Sequence, residues 1–141
     1  MLLKTSQNPK ETYKTIKSIA GSSLTMIEKF KLDVFGSLKY RIISMLPKTN
    51  EIDFEEYTDL VYGVFELRKK GLAFFFRYKN EEFVIVSRYS QLSFINNDNL
   101  LDFQFSTNSL KLRYENIKSH KKFISRFFKM RNMYLNDLNK L

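Results

Sequence analysis

The chain has no cysteine and no tryptophan, one histidine, two prolines and four glycines among 141 residues. Without cysteine there is no disulfide framework, no thiolate metal site and no thiol nucleophile. A lone His120 leaves no second imidazole for a catalytic dyad or a nitrogen-ligated metal centre. No glycine-rich phosphate loop and no Gly-x-Ser-x-Gly elbow is present. No apolar run approaches the roughly 20 residues of a membrane span. The opening Met1-Leu2-Leu3-Lys4 lacks the apolar core of a secretory signal. These absences predict a non-catalytic, cytoplasmic chain that needs no cofactor.

What is present is apolar and aromatic. The chain is 43% hydrophobic and 16% aromatic, with 14 phenylalanines, so it can bury a real core. Its length suits a single domain spanning 1–141. The richest stretch runs from Gly71 to Asn96. Leu72, Phe74, Phe76 and Tyr78 alternate with Ala73, Phe75, Arg77 and Lys79, and the alternation resumes at Phe83, Ile85 and Ser87. That pattern predicts a β-hairpin. With Asn80-Glu81 as its loop, Tyr78 faces Phe83, Phe76 faces Ile85 and Phe75 faces Val86. Both faces of such a hairpin are apolar and must be covered.

Residues 1–9 read as a frayed, disordered terminus and 10–70 as mainly helical. Tyr13, Ile16, Ala20, Leu24, Ile27 and Phe30 fall near helical spacing, interrupted at Gly21-Ser22-Ser23. Asp33 is a plausible cap for a second helix with Phe35, Leu38, Ile42 and Met45-Leu46 as its stripe, ending at Pro47; a strand through Lys29–Ile43 is the alternative. A third helix is predicted from Asp53, with Glu56 three residues on, an apolar stripe at Tyr57, Leu60-Val61 and Val64-Phe65, and Arg68-Lys69-Lys70 before a capping Gly71. A strand through Leu60-Tyr62-Val64 competes with it. Antiparallel strands are expected over 71–115, with a second hairpin joining Leu101-Phe103-Phe105 to Leu110-Leu112-Tyr114. A final helix is expected over 117–138. The fold class is therefore α+β: an antiparallel sheet of two hairpins, N-terminal helices, and a basic C-terminal helix packed on the sheet.

The net charge of +9 is unevenly spread. Residues 105–141 hold nine Lys/Arg against two acids, Glu115 and Asp137, whereas 1–104 are nearly balanced. On a helix, Lys118, Lys121, Lys122, Ser125, Arg126 and Lys129 share one side, opposite the apolar stripe. Cations in a helix's first turn oppose its dipole, so helix stability alone does not place them there. Lys118, Lys121, Lys122, Arg126 and Lys129 are the candidate anion-binding residues, for a phosphate or a lipid headgroup. A solvated face, or pairing with the acidic Glu51–Asp59 segment, is the alternative. The implied partner is a protein or an anion, with nucleic acid and an anionic membrane surface as variants. His120 is expected at the surface, its basicity lowered by neighbouring cations. Glu55 and Asp59 would share a helical face, which acids in a first helical turn explain without a metal. Phe103, Phe105, Tyr114, Phe123, Phe127, Phe128 and Tyr134 are placed in the core by their spacing rather than exposed for stacking on bases.

From about Phe65 onward the order of features resembles the bacterial pleckstrin-homology-like domains. Gly71-Leu72, Arg77-Tyr78-Lys79, Ser87-Arg88-Tyr89-Ser90-Gln91-Leu92, Leu110-Lys111-Leu112 and the helix from Lys118 stand in that family's places. The resemblance implies a curved antiparallel sheet of about seven strands capped by one helix, used as a ligand- or protein-binding platform. Periodicity alone assigns four strands. Glu66-Leu67-Arg68-Lys69-Lys70-Gly71-Leu72 is also similar to a recognition helix running into the wing of a winged-helix module. That resemblance implies a nucleic-acid partner for the basic C-terminal face.

Overall fold

A computed structural model describes residues 1–32, 37–55 and 59–139. The described elements are β1 (Leu2–Lys4), α1 (Pro9–Ala20), α2 (Met26–Leu32), β2 (Tyr40–Leu46), β3 (Tyr62–Leu67), β4 (Gly71–Tyr78), β5 (Glu81–Arg88), β6 (Ser93–Asn97), β7 (Leu100–Gln104), β8 (Ser109–Arg113) and α3 (Ile117–Asn139). The class is α+β, with α3 packed on the sheet. Eight antiparallel strands form one sheet in the order β1-β5-β4-β3-β2-β8-β7-β6.

That order dictates the sheet's shape. β5 and β6 lie six strand positions apart, which in a flat sheet would separate them by ~29 Å. They are joined only by the turn of 3-10 helix Tyr89–Gln91 and its flanks, and the five steps from Arg88 to Ser93 span at most ~17 Å. The sheet must therefore curl. Its concave side holds the main core, in which Tyr40, Phe65, Phe74, Phe103, Leu101 and Leu112 are all but fully buried and meet Phe123, Phe127 and Met130 of α3. On the opposite side α1 lays Ile16 and Ala20 against Ala73, Val84 and Val86. β4 and β5 are thus buried on both faces, as their two-sided apolar pattern requires.

The hairpin register differs from the expected one. The loop is Lys79-Asn80, pairing Tyr78 with Glu81, Phe76 with Phe83, Phe75 with Val84 and Phe74 with Ile85. Lys79 and Asn80 both take left-handed φ, 49° and 65°, as a two-residue hairpin turn matched to strand twist demands. Asn80 tolerates that region well at the second position, whereas Glu81 would not. The partner shift is two residues, so every side chain keeps its expected face.

Three larger expectations fail. Residues 1–9 are not frayed: Leu2, Leu3 and Lys4 pair with Ile85, Val84 and Phe83, and the Asn8 side chain accepts from Glu11 N–H to cap α1. The segment around 38–46 is not a helix but strand β2. Its buried residues are Tyr40, Ile42 and Met45, with the register to β8 shifting between Ile42 and Ser44. That bulge turns a spacing of two into one of three and imitates a helical stripe. Asp33 and Phe35 lie outside the described residues. The described residues of the third expected helix are not helical either, so 10–70 is not mainly helical among the described residues. Residues 62–67 form β3, with Gly63, Phe65 and Leu67 buried and Tyr62 exposed. Glu56 and Tyr57 lie outside the described residues.

Gly71 is no helix cap either. It opens β4, where a Cβ would run into the Ser87 carbonyl of β5, so only glycine lets the two strands approach there. Gly21 is the glycine with left-handed φ (82°), and it ends α1 by donating to the Lys17 carbonyl at 3.0 Å. The Gly21-Ser22-Ser23 interruption therefore separates two helices. Among the described residues, no helix is long and apolar enough to cross a membrane.

Candidate anion-binding site

α3 starts where Asn116 follows the last strand. Its side chain accepts from Ser119 N–H at 3.0 Å and its carbonyl from His120 N–H at 3.0 Å, which caps the helix start. From there His120, Phe123, Phe127 and Met130 repeat at helical spacing and are buried against the sheet. The first turn holds no acid.

The opposite side carries the predicted cations. Lys118, Lys121, Lys122, Ser125, Arg126 and Lys129 line one open groove of about 430 Å³ together with Leu32 at the end of α2. Lys118, Lys121, Lys122 and Lys129 are exposed. Lys129 Nζ donates to the Leu32 carbonyl at 3.0 Å, tying α2 to α3. Among the described residues, none of Lys118, Lys121 and Lys122 has an ion pair. Of the acidic segment's described residues, Glu51 pairs with Lys4 and Glu55 with Lys48. All five predicted residues are brought together. The contribution of Leu32 had no signal in the sequence, because it depends on how α2 returns across α3.

His120 is a correction. It is not on the surface but buried at 2% exposure, its ring stacked on Tyr114 with centroids 3.7 Å apart and Nδ1 2.6 Å from the Tyr40 hydroxyl. Its Nε2 has no hydrogen-bond partner among the described residues. Burial, not the neighbouring lysines, pushes its pKa down from 6.5 to about 4. The signal was available: His120 stands three residues before Phe123 and seven before Phe127, on the core face of the helix. Burial also raises the Tyr40 hydroxyl.

A neutral buried histidine leaves a pH signature. Above about 6.5 both folded and unfolded chains hold it uncharged. As pH falls towards 4 only the unfolded chain gains the proton, so stability falls. Between pH 7 and 5 the expected loss is about 2 kcal/mol in urea denaturation. His120→Phe should flatten that slope while lowering stability at pH 7, because the Tyr40 hydroxyl loses its partner. An unchanged slope in the variant would show that other groups carry the pH dependence.

Five of the seven aromatics of the C-terminal third are core, as their spacing indicates: Phe103, Phe105, Tyr114, Phe123 and Phe127 are buried, Tyr114 at 3% and Phe105 at 6% exposure, whereas Tyr134 is half-buried and Phe128 is 42% exposed. The five buried rings offer no stacking surface beside the groove. Glu55 and Asp59 are not aligned on a helix, since the described residues around them are irregular. The groove can hold and orient an anion with ammonium and guanidinium groups and the Ser125 hydroxyl. Comparison with protein-family models, with curated proteins and with solved structures finds no match for this chain.

Proposed function

We propose that this chain is a non-catalytic binding module whose α3 groove captures an anionic group of its partner. The observation that carries this reading is the groove itself. Lys118, Lys121, Lys122, Arg126 and Lys129 face one cavity of about 430 Å³, with no acid among its described lining residues. Like charges gathered on a helix end cost stability unless an anion offsets them. Phosphate oxygens are the matching chemistry, since ammonium and guanidinium groups both donate charge-assisted hydrogen bonds to them.

The frame we propose is that of the bacterial pleckstrin-homology-like domains. Strands β2 to β8 support it: β2-β3-β4-β5 and β6-β7-β8 are two antiparallel meanders joined through the β2–β8 pair. The sheet is curled, and α3 covers its concave side. The reading draws on strands β2 to β8 with α3 as the closing helix, and β1, α1 and α2 are additional to that frame. The winged-helix reading has less support, because Glu66–Leu67 is strand and Gly71–Tyr78 lies inside the sheet rather than as a free wing.

Tripolyphosphate titrated into the protein by calorimetry tests the groove. Binding is expected, weakening as salt rises from about 50 to 200 mM. The double variant Lys121→Glu, Lys122→Glu should bind at least tenfold more weakly, since each charge-assisted contact contributes about 1.5–3 kcal/mol. Equal binding by the variant would remove the groove as the site. A much tighter, steeply salt-dependent affinity for oligothymidylate would move the reading to a nucleic-acid partner.

A further inference from the structure

The outer side of the sheet is covered by α1 only over β4 and β5. Further along, on β3, β2 and β8, Tyr62 and Arg113 are exposed among the described residues. Alternation fixes which residues stand there. Tyr40, Ile42, Leu112 and Tyr114 are buried on the core side, so Arg41 and Arg113 between them point outward. The register sets Arg41 directly opposite Arg113 on one side and opposite Tyr62 on the other. Like charges directly opposite in an antiparallel pair destabilise it. Neither arginine has an ion pair among the described residues, and neither does the adjacent Lys39. Glu115 lines the same cleft without an ion pair to any of the three.

The apolar exposure is equally out of place. Leu60 is 56% and Tyr62 46% exposed. They stand between two clefts that both include Lys39. One, of about 420 Å³, is walled by Leu60, Val64 and Phe75, with Arg77 and Glu82 beside them. The other, of about 310 Å³, holds Lys39, Arg41 and Arg113. An apolar slot next to a cationic one, divided by an exposed tyrosine, combines the residue types that anchor protein interfaces.

We propose that this face, separate from the α3 groove, docks an acidic peptide segment carrying an apolar side chain. The carboxylates pair with the planar guanidiniums of Arg41 and Arg113, which accept them two-pronged as a lysine would not. The apolar side chain enters the slot beside Tyr62. A peptide fits better than a phosphate chain for two reasons. Glu82 in the apolar slot repels continuous negative charge, and one exposed tyrosine is not the run of aromatic platforms that successive bases need. The uncompensated Arg41–Arg113 pair is then a local loss of stability kept for binding.

The test is a titration of the ¹⁵N-labelled chain, read by amide shifts, with the synthetic peptide acetyl-Glu-Asp-Glu-Leu-Phe-Asp-Glu-amide. Shifts are expected at residues 39–41, 60–64 and 113, with half-saturation at or below roughly 1 mM. The Lys121→Glu, Lys122→Glu variant should keep them, which separates this face from the α3 groove. Arg113→Glu should weaken binding at least tenfold while the melting temperature stays level or rises, because it converts a repulsive cross-strand pair into an attractive one. A merely structural arginine would not lose binding and gain stability together. The proposal is overturned by no shifts at this face, by shifts confined to α3, by equal affinity for the peptide with Ser-Ser in place of Leu-Phe, or by oligothymidylate shifting these amides where the peptide does not.

Discussion

Replacing Phe65 by alanine is expected to remove about 3–5 kcal/mol of folding stability, the cost of emptying a large, fully packed aromatic site. Phe65 sits at 2% exposure where the sheet and α3 meet. Its ring centroid lies 4.6 Å from Phe74, 4.8 Å from Phe123, 5.0 Å from Phe103 and 5.3 Å from Tyr40. Those four rings come from β4, α3, β7 and β2, so one side chain bridges both meanders and the closing helix. No single neighbour can collapse into the space without leaving another contact. Against a total stability of about 5–15 kcal/mol, the loss leaves a marginal fold. Thermal melting followed by far-UV dichroism should show a midpoint lowered by about 10–20 °C. Phe65→Leu, which keeps most of the volume, should cost less than half as much. A loss under about 1 kcal/mol for the alanine variant would mean that α3 is not docked on β3 through this ring.

How far the sequence could be read follows from which signals were local. The β4–β5 hairpin was legible because its alternation is long, two-sided and unbroken, and even a misplaced loop left every side chain on its proper face. α3 was legible because its apolar and basic stripes both keep helical spacing over about three turns. β2 and β3 were not legible for opposite reasons. In β2 a bulge between Ile42 and Ser44 broke the alternation and left Tyr40, Ile42 and Met45 at a spacing that fits a helix better. In β3 the alternation is intact, but acids before it and bases after it imitate helix termini. Gly63 and the β-forming Tyr62, Val64 and Phe65 were the contrary indications, and in the sheet they prevail.

The candidate site divides the same way. All five α3 cations belong to one helix, so their convergence needs only its period. Arg41, Tyr62 and Arg113 come from three strands. They become neighbours only through the β3–β2–β8 register, which no local pattern encodes. His120 lies between these cases. Its helical phase placed it with Phe123 and Phe127, while its lysine neighbours in sequence suggested a surface position. Phase is the stronger signal, because i and i+3 share a face whereas i and i+1 do not.

Arg68 carries the second large expected effect. Read as part of a basic helix end, it would be a solvated cation. It is instead buried, with its side chain threaded between the strands and the helical layer. Nε donates to the Gly21 carbonyl at 2.7 Å, Nη1 donates to Ser23 Oγ at 2.8 Å, and Nη1 also pairs with Glu66. Its backbone carbonyl accepts from the Tyr89 hydroxyl at 2.6 Å. Next to it, Lys70 N–H donates to the Ala20 carbonyl at 2.8 Å. The β3–β4 turn thus straps the α1–α2 junction, and with it α1, onto the sheet. Arg68→Ala strands the Gly21 carbonyl without its donor and Glu66 without its cation. The expected loss is about 3 kcal/mol, at the lower end for a broken buried pair because Glu66 is partly exposed. Glu66→Gln keeps an acceptor for the guanidinium and should cost about 1 kcal/mol. Arg68→Met restores volume but no hydrogen bond, so it should fall between the two. Hydrogen exchange separates a local from a global effect. In Arg68→Ala the amides of Gly21 and Lys70 should exchange faster than the central β4 amides. If all of them accelerate equally, Arg68 supports the whole fold rather than the strap, and α1 cannot be released from the sheet on its own.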